Sequence, residues 1–217
     1  MRIVLIGPPG AGKGTQARIL TERLSVPAVS SGDLLRAEIR EGTVLGQLAK
    51  QHTDAGELVP DEVTTTMVTR RLGEPDAVGG FLLDGFPRTV RQAALLEESL
   101  AEGETTLDAV LAFDMPDDEI VQRLTGRRIC PGCGTTVHVV FSPPRVPGRC
   151  DACGNELTRR ADDTEETVLR RLAVYAEQTV PLLRWYADRG LLLRVDAMGT
   201  VPEISDRVCA ALALTTP

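Results

Sequence analysis

Residues Gly7-Pro8-Pro9-Gly10-Ala11-Gly12-Lys13-Gly14-Thr15 constrain this chain more than any other segment. They follow a short apolar run, Arg2 to Ile6, and lead into a segment with helical spacing, Gln16 to Leu24. Glycines let backbone amides curl around an anion, a helix N-terminus adds partial positive charge, and a lysine here reaches the end of a polyphosphate. A strand, a glycine-rich turn and a helix in that order predict a parallel α/β layer. The strict form of this motif has Ser or Thr directly after the lysine. Here Gly14 intervenes before Thr15, which weakens the case for a direct hydroxyl ligand to magnesium.

The rest of the chain extends that pattern. Apolar runs recur at Pro27 to Val29, Phe81 to Asp84, Ala109 to Phe113 and Leu191 to Val195. They lack the polar alternation of a half-exposed sheet, so they predict buried strands. Helical spacing appears between them at Val63 to Leu72 and Val90 to Leu100. Thr164 to Arg189 predicts the longest helix, started after Asp163, bent or broken at Pro181 and ended at Gly190. Thr200-x-x-Glu203 predicts a capping box opening the last helix. Two stretches do not fit the alternation. Residues 30–59 form an oversized crossover, and residues 126–163 are rich in Gly, Pro, Cys and Arg; each reads as a small inserted domain. The expected division is a core of 1–29, 60–125 and 164–217, with inserts at 30–59 and 126–163.

A formal net charge of -7 argues against broad adhesion to nucleic acid or to an anionic membrane. Any cationic chemistry must be local. Lys13 and Lys50 are the lysines in a chain whose other basic side chains are arginines, so a lysine inside the glycine loop is informative. The opening apolar stretch is too short for a secretion signal, and a cytosolic location is the expectation. Four of the five cysteines form two pairs, Cys130-x2-Cys133 and Cys150-x2-Cys153, and each pair is followed by a glycine, Gly134 or Gly154. This spacing predicts a closed four-thiolate zinc site of structural type. The competing readings are a pair of disulfides and a zinc ribbon that binds nucleic acid; compartment and charge disfavour them. His138 reads as a packing residue rather than a further ligand, and Cys209 as core.

The run from Gly7 to Gln16 resembles the loop of the adenylate kinase family. The likeness continues in order through Ser30-Ser31-Gly32-Asp33-Leu34-Leu35-Arg36, Asp84-Gly85-Phe86-Pro87-Arg88-Thr89, Thr125-Gly126-Arg127-Arg128 and Asp162-Asp163. It implies a P-loop nucleoside triphosphate hydrolase-like fold with a five-stranded parallel sheet flanked by helices. It further implies an acceptor nucleotide-binding insert at 30–59 and a zinc lid at 126–163. The implied reaction is reversible phosphoryl transfer from ATP to AMP giving ADP, with Mg2+. Gly10, Ala11, Gly12, Lys13, Gly14 and Thr15 would hold the donor phosphates. Arg123 and Arg127 would serve the donor site, with Thr136, Val137 and Gly199 beside its adenosine. Ser31, Arg36 and the backbone of Glu57, Leu58 and Val59 would clamp the acceptor, with Gly85, Phe86 and Pro87 lining it. Arg88 would bridge acceptor and transferred group, Gln92 would read the adenine edge, and Arg160 and Arg171 would close over the phosphates. Asp84 would orient water on magnesium, and Asp33 is a second candidate.

Plainer explanations accompany several of these residues. Ser31 could cap the helix near Asp33, Thr89-x-x-Gln92 could be a capping box, and the arginine doublets could be solvated surface. Two other functions stay open at this point: a kinase for another nucleoside monophosphate, and a P-loop regulator that signals through its zinc module. No sequence feature marks an oligomer surface, so a monomer is expected.

Overall fold

The computed structural model describes residues 1–214. Five strands form one parallel sheet: β1 (Arg2–Ile6), β2 (Ala28–Ser30), β3 (Phe81–Asp84), β4 (Ala109–Asp114) and β7 (Leu192–Asp196), in the order β2-β3-β1-β4-β7. A separate antiparallel pair, β5 (Arg127–Ile129) and β6 (Thr136–His138), lies in the cysteine-bearing segment. The helices are α1 (Lys13–Leu24), α2 (Ser31–Glu41), α3 (Val44–Asp54), α4 (Asp61–Leu72), α5 (Val90–Glu102), α6 (Asp117–Thr125), α7 (Glu165–Val174), α8 (Pro181–Ala187) and α9 (Val201–Ala211).

In β1, β3 and β4 the continuous apolar runs are explained by burial on both faces of the sheet, whereas the edge strands β2 and β7, also expected to be buried, have one fully buried residue each because a strand neighbours them on one side alone. Along β1, Ile3 and Leu5 pack toward Ala17 and Leu20 of α1 and Ile204 and Val208 of α9. The alternate residues Val4 and Ile6 pack toward Val68 of α4, Leu96 of α5 and Tyr186 of α8. A polar residue on either face of β1 would be buried without water. Among the described residues three smaller apolar clusters lie apart from the sheet: Ile120, Leu124, Val168 and Leu172; Leu35, Ala49 and Val59; and Cys130, Cys150 and Leu157.

Sheet order positions the site. β1 and β3 are hydrogen-bonded neighbours, with Leu5 opposite Asp84, yet the chain leaves them in opposite directions, toward β2 and toward β4. The carboxyl ends of two such strands diverge into a crevice. The glycine loop lies at one lip and Asp84-Gly85 at the other.

One expectation needs correction, and the long helix takes the start and the break at Pro181 expected of it. The cap of α2 is Ser30, whose side chain accepts from the Asp33 N–H; Ser31 instead donates to the Gly85 carbonyl at 2.6 Å. The long helix starts at Thr164, which caps the Thr167 N–H, while Asp163 is fully buried in side-chain contacts described below. That helix also divides: a π-turn spans Tyr175–Thr179 before Pro181 begins α8. Proline lacks an N–H and its ring crowds the carbonyl four residues earlier, so the preceding turn widens, with Val180 N–H donating to Tyr175 O at 3.0 Å. The capping box of α9 forms as expected, with Thr200 and Glu203 satisfying each other's backbone.

Candidate active site

The glycine loop leaves β1 and wraps back on itself before α1. Gly10 has φ +88 and Gly12 φ +85, a left-handed geometry that L side chains rarely adopt. At Gly10 space is also short, since a Cβ would lie 2.9 Å from Leu124 Cγ. Ala11 is fully buried beneath the loop. Lys13 folds back over it, its Nζ donating to Gly7 O at 2.8 Å and Pro8 O at 2.9 Å. Burial pushes the Lys13 ammonium down to about 8, against an opposing pull from Asp84 and with help from Arg88, Arg171 and Arg127.

That shift has a measurable consequence. A polyphosphate beside Lys13 favours the ammonium and raises its pKa, so above pH about 8 binding must be accompanied by proton uptake. Calorimetry of ATP binding at about pH 9 in buffers of different ionisation enthalpy is expected to report an uptake approaching one proton, nearly absent at about pH 7. Lys13→Ala should abolish it. Equal uptake in the variant would assign the proton to another group.

Arginines from distant parts of the chain gather opposite this loop. Arg88 donates through Nε to Gly85 O at 2.9 Å, and burial pushes it down to about 10, with Arg171 and Arg36 adding repulsion and Asp84 and Asp162 opposing. Burial likewise brings Arg160 to about 10, crowded by Arg127 and Arg36, and its Nε–H is buried with no partner. Both remain cations at any working pH. Arg171 is pulled in the same direction by burial, against Asp162.

Carboxylates hold these cations in place. Asp163 is 0 % exposed and receives Arg127 through two hydrogen bonds, 2.8 and 2.5 Å, with Arg171 at 3.4 Å. Burial opposes ionisation of Asp162, yet Arg171, Arg127, Arg36 and Arg160 together hold its carboxyl below the usual range. Arg171 also contacts Asp162 directly at 3.0 Å. Arg36 pairs with Asp33. Lys13, Arg36, Arg88, Arg127, Arg160 and Arg171 thus outnumber Asp33, Asp84, Asp162 and Asp163 in one enclosure, within a chain of net charge -7. A local surplus of half-buried cations in an acidic protein calls for a polyanion.

Other predicted residues fall at the two ends of this enclosure. Arg123 sits apart, its Nη1 donating to Ala197 O at 3.4 Å and its guanidinium 5.9 Å from the Phe141 ring centroid. Gly199, φ +106, lies in the same 196–200 loop. Thr136 and Val137 on β6 pair with Ile129 and Arg128 on β5. At the opposite end Ser31 is tied to Gly85, and Phe86 and Val59 are buried. Glu57 pairs with Arg170 at 3.3 Å, so the segment following α3 touches α7. Leu58 is half-buried beside it, and Pro87 is buried before Arg88. Gln92 forms only half of a capping box: Thr89 accepts from its N–H at 3.1 Å, while its Oε1 accepts from the Arg88 N–H at 2.8 Å.

The role of Asp163 was missed by sequence reasoning. The Asp162-Asp163 pair was visible as a motif, but nothing local marks which arginines it restrains.

The cysteine segment forms two near-identical knuckles. Gly134 N–H donates to Cys130 O at 2.9 Å and Gly154 N–H to Cys150 O at 2.8 Å, and both glycines have φ +74. The four sulfurs lie within 4.8 Å of one another, with Cys130–Cys153 at 3.3 Å and Cys133–Cys150 at 3.5 Å. A tetrahedral ion with sulfur ligands at about 2.3 Å needs sulfurs about 3.8 Å apart, whereas a disulfide needs about 2.05 Å. The arrangement fits a four-thiolate metal site and not a disulfide; all five cysteines are free. His138 has the packing role expected, its Nδ1 accepting from the Val140 and Phe141 N–H groups at 3.0 Å and its ring 4.5 Å from Phe141.

A nest of amides at the end of β1, facing guanidinium groups that its own carboxylates do not neutralise, defines a P-loop protein built to handle nucleoside phosphates. Comparison with known proteins narrows the class. The adenylate kinase family model matches residues 5–191. The chain is 55% identical over 212 residues to the adenylate kinase of Acidothermus cellulolyticus, covering 98% of each chain. It is 54% identical to that of Moorella thermoacetica, with 94% of each covered, and 48% identical to that of Methanothrix thermoacetophila, with 98% of this chain and 99% of the relative covered. The chain belongs to the adenylate kinase family.

Proposed function

We propose that this protein catalyses the reversible transfer of the terminal phosphoryl group of ATP to AMP, giving two ADP. The observation that carries this reading is the cation surplus between the glycine loop and the Asp84-Gly85 turn. Phosphoryl transfer asks a protein mainly for positioning and for charge stabilisation at the equatorial oxygens, and arginines supply both.

In this reading Gly10 to Thr15 cradle the donor phosphates, and the Lys13 ammonium exchanges its hold on Gly7 O and Pro8 O for phosphate oxygens. Arg36 and Ser31 hold the acceptor phosphate, Arg88 spans acceptor and transferred group, and Arg127, Arg160 and Arg171 cover the enclosure. Arg123, Thr136, Val137 and Gly199 flank the donor base, and Gln92 faces the acceptor base. Residues 30–59 act as the acceptor insert and 126–163 as a lid that excludes water, which would otherwise compete for the phosphoryl group. The acceptor's own phosphate oxygen attacks, so no side-chain nucleophile is used.

Asp84 suits a magnesium ion arriving with the nucleotide: its Oδ2 lies 3.4 Å from where a Cβ on Gly14 would stand, and its charge reaches both Lys13 and Arg88. Magnesium, when bound, neutralises charge on the donor phosphates, and Asp84 would hold it through water. Cys130, Cys133, Cys150 and Cys153 would hold a structural Zn2+. Among the described residues no helix is long and apolar enough to cross a membrane, and we place the protein in the cytoplasm as a monomer.

A bisubstrate analogue, two adenosines joined through five phosphates, tests the reading directly. It is expected to bind at least about 100-fold more tightly than ATP, because one enclosure receives both nucleotides. Affinity equal to that of ATP would mean a single nucleotide site and favour a regulator. The AMP-dependent production of ADP, compared with GMP, UMP and CMP, separates this kinase from its relatives.

A further inference from the structure

Gln92 is buried on α5, and its side-chain amide belongs to a closed circuit. The Arg88 N–H donates to its Oε1 at 2.8 Å, and its Nε2 donates to Asp61 Oδ1 at 2.8 Å. The other oxygen of Asp61 accepts from the Thr89 hydroxyl at 2.9 Å, and that hydroxyl oxygen accepts from the Gln92 N–H at 3.1 Å. The circuit ties the first residue of α4 to the cap of α5.

A primary amide has two N–H donors and two acceptor lone pairs. The circuit uses one of each, so one donor and one acceptor remain. Their order in space is fixed by chemistry. A backbone N–H can only donate and an ionised carboxylate can only accept, so a flipped Gln92 amide would set donor against donor at Arg88 and acceptor against acceptor at Asp61.

We propose that Asp61 sets the specificity for the acceptor base: by locking the Gln92 amide in one orientation, it admits a 6-aminopurine monophosphate and rejects a 6-oxopurine. This rests on the reading that Gln92 faces the acceptor base. Adenine offers an amino donor at position 6 beside an acceptor ring nitrogen. Hypoxanthine and guanine offer an oxo acceptor there beside a ring N–H donor. A freely turning amide pairs with either pattern, whereas a locked one meets one of them with like facing like. Asp61 is a positioning residue, acting through Gln92.

The test measures kcat/KM for AMP and for inosine monophosphate, with ATP as donor, in the full chain and its variants. Asp61→Ala is expected to lower the AMP:IMP preference by about 10-fold, the value of one hydrogen bond to a charged group lost from the lock while the Arg88 N–H keeps its share, and the KM for ATP should change by less than about twofold. Asp61→Asn is expected to retain the preference, because its carbonyl oxygen still accepts from Gln92 while its amide nitrogen donates to the Thr89 hydroxyl. Should the alanine variant fail to fold, Asp61→Ser replaces it; a hydroxyl donates as readily as it accepts, so the same drop is expected. A loss shared equally by both substrates would make Asp61 merely structural and overturn the proposal. Gln92→Ala separates the layers. A changed preference there with none in Asp61→Ala overturns the lock alone; an unchanged preference in both overturns the base contact as well. Absence of AMP-dependent ADP formation by the unmodified protein would overturn the proposed function itself.

Discussion

Replacing Arg88 by alanine is expected to lower kcat by about three orders of magnitude, the scale on which a guanidinium aimed at a transferring phosphoryl group acts. The melting temperature should hold or rise slightly. Both halves of this expectation follow from the free protein. Arg88 is enclosed, crowded by Arg171 and Arg36, and restrained through Gly85 O at 2.9 Å. Removing it relieves repulsion among crowded, half-buried cations, so the folded state loses little when nucleotide is absent. A coupled ADP assay and calorimetry on the same preparation separate the outcomes. A kcat within about tenfold of the original would remove Arg88 from the transfer step. A collapsed melting transition would mean that the residue serves the fold.

Cys130→Ser, or extraction of metal by a chelator, is expected to have the second largest effect. The segment 126–163 should lose its protection from hydrogen exchange, and kcat should fall by about 100-fold or more, while the parallel sheet stays protected. The apolar cluster of that segment consists of Cys130, Cys150 and Leu157 with Val137 packed against them, too little buried surface to order so long a stretch. Cys130 and Cys150 belong both to this cluster and to the four-sulfur group that would hold the ion, so losing the ion would loosen the cluster and the site together. Arg127 and Arg160 flank the knuckles, and on the proposed function a segment that cannot hold its shape would not keep them over the phosphates. Unchanged exchange in 126–163 together with full activity in the chelated protein would show that the metal is dispensable.

The readings that needed only neighbours in sequence were carried by the chain itself. Gly10 and Gly12 announce a loop because their left-handed backbone excludes other residues, and that constraint is local. The five apolar runs announce parallel strands, and the three inner ones, β1, β3 and β4, are buried because both of their faces are covered. The cysteine pairs announce a metal knuckle because Gly134 and Gly154 must turn at the same offset after each pair. At this range sterics and hydrogen-bond geometry leave few alternatives.

What required tertiary structure involves partners far apart in sequence. Ser31 meets Gly85 because β2 and β3 are neighbours in the sheet, and Arg127 meets Asp163 because the segment between them folds back on itself; no local spacing encodes either meeting. Gln92 could have served its own helix cap; instead, packing of α4 on α5 delivers Asp61 to its amide. Chain-local sterics fixed the strands, the loop and the knuckles. The closing of the sheet around its core decided which charges face one another, because a charge 36 or more residues away along the chain becomes a neighbour only when burial of the apolar faces fixes the topology.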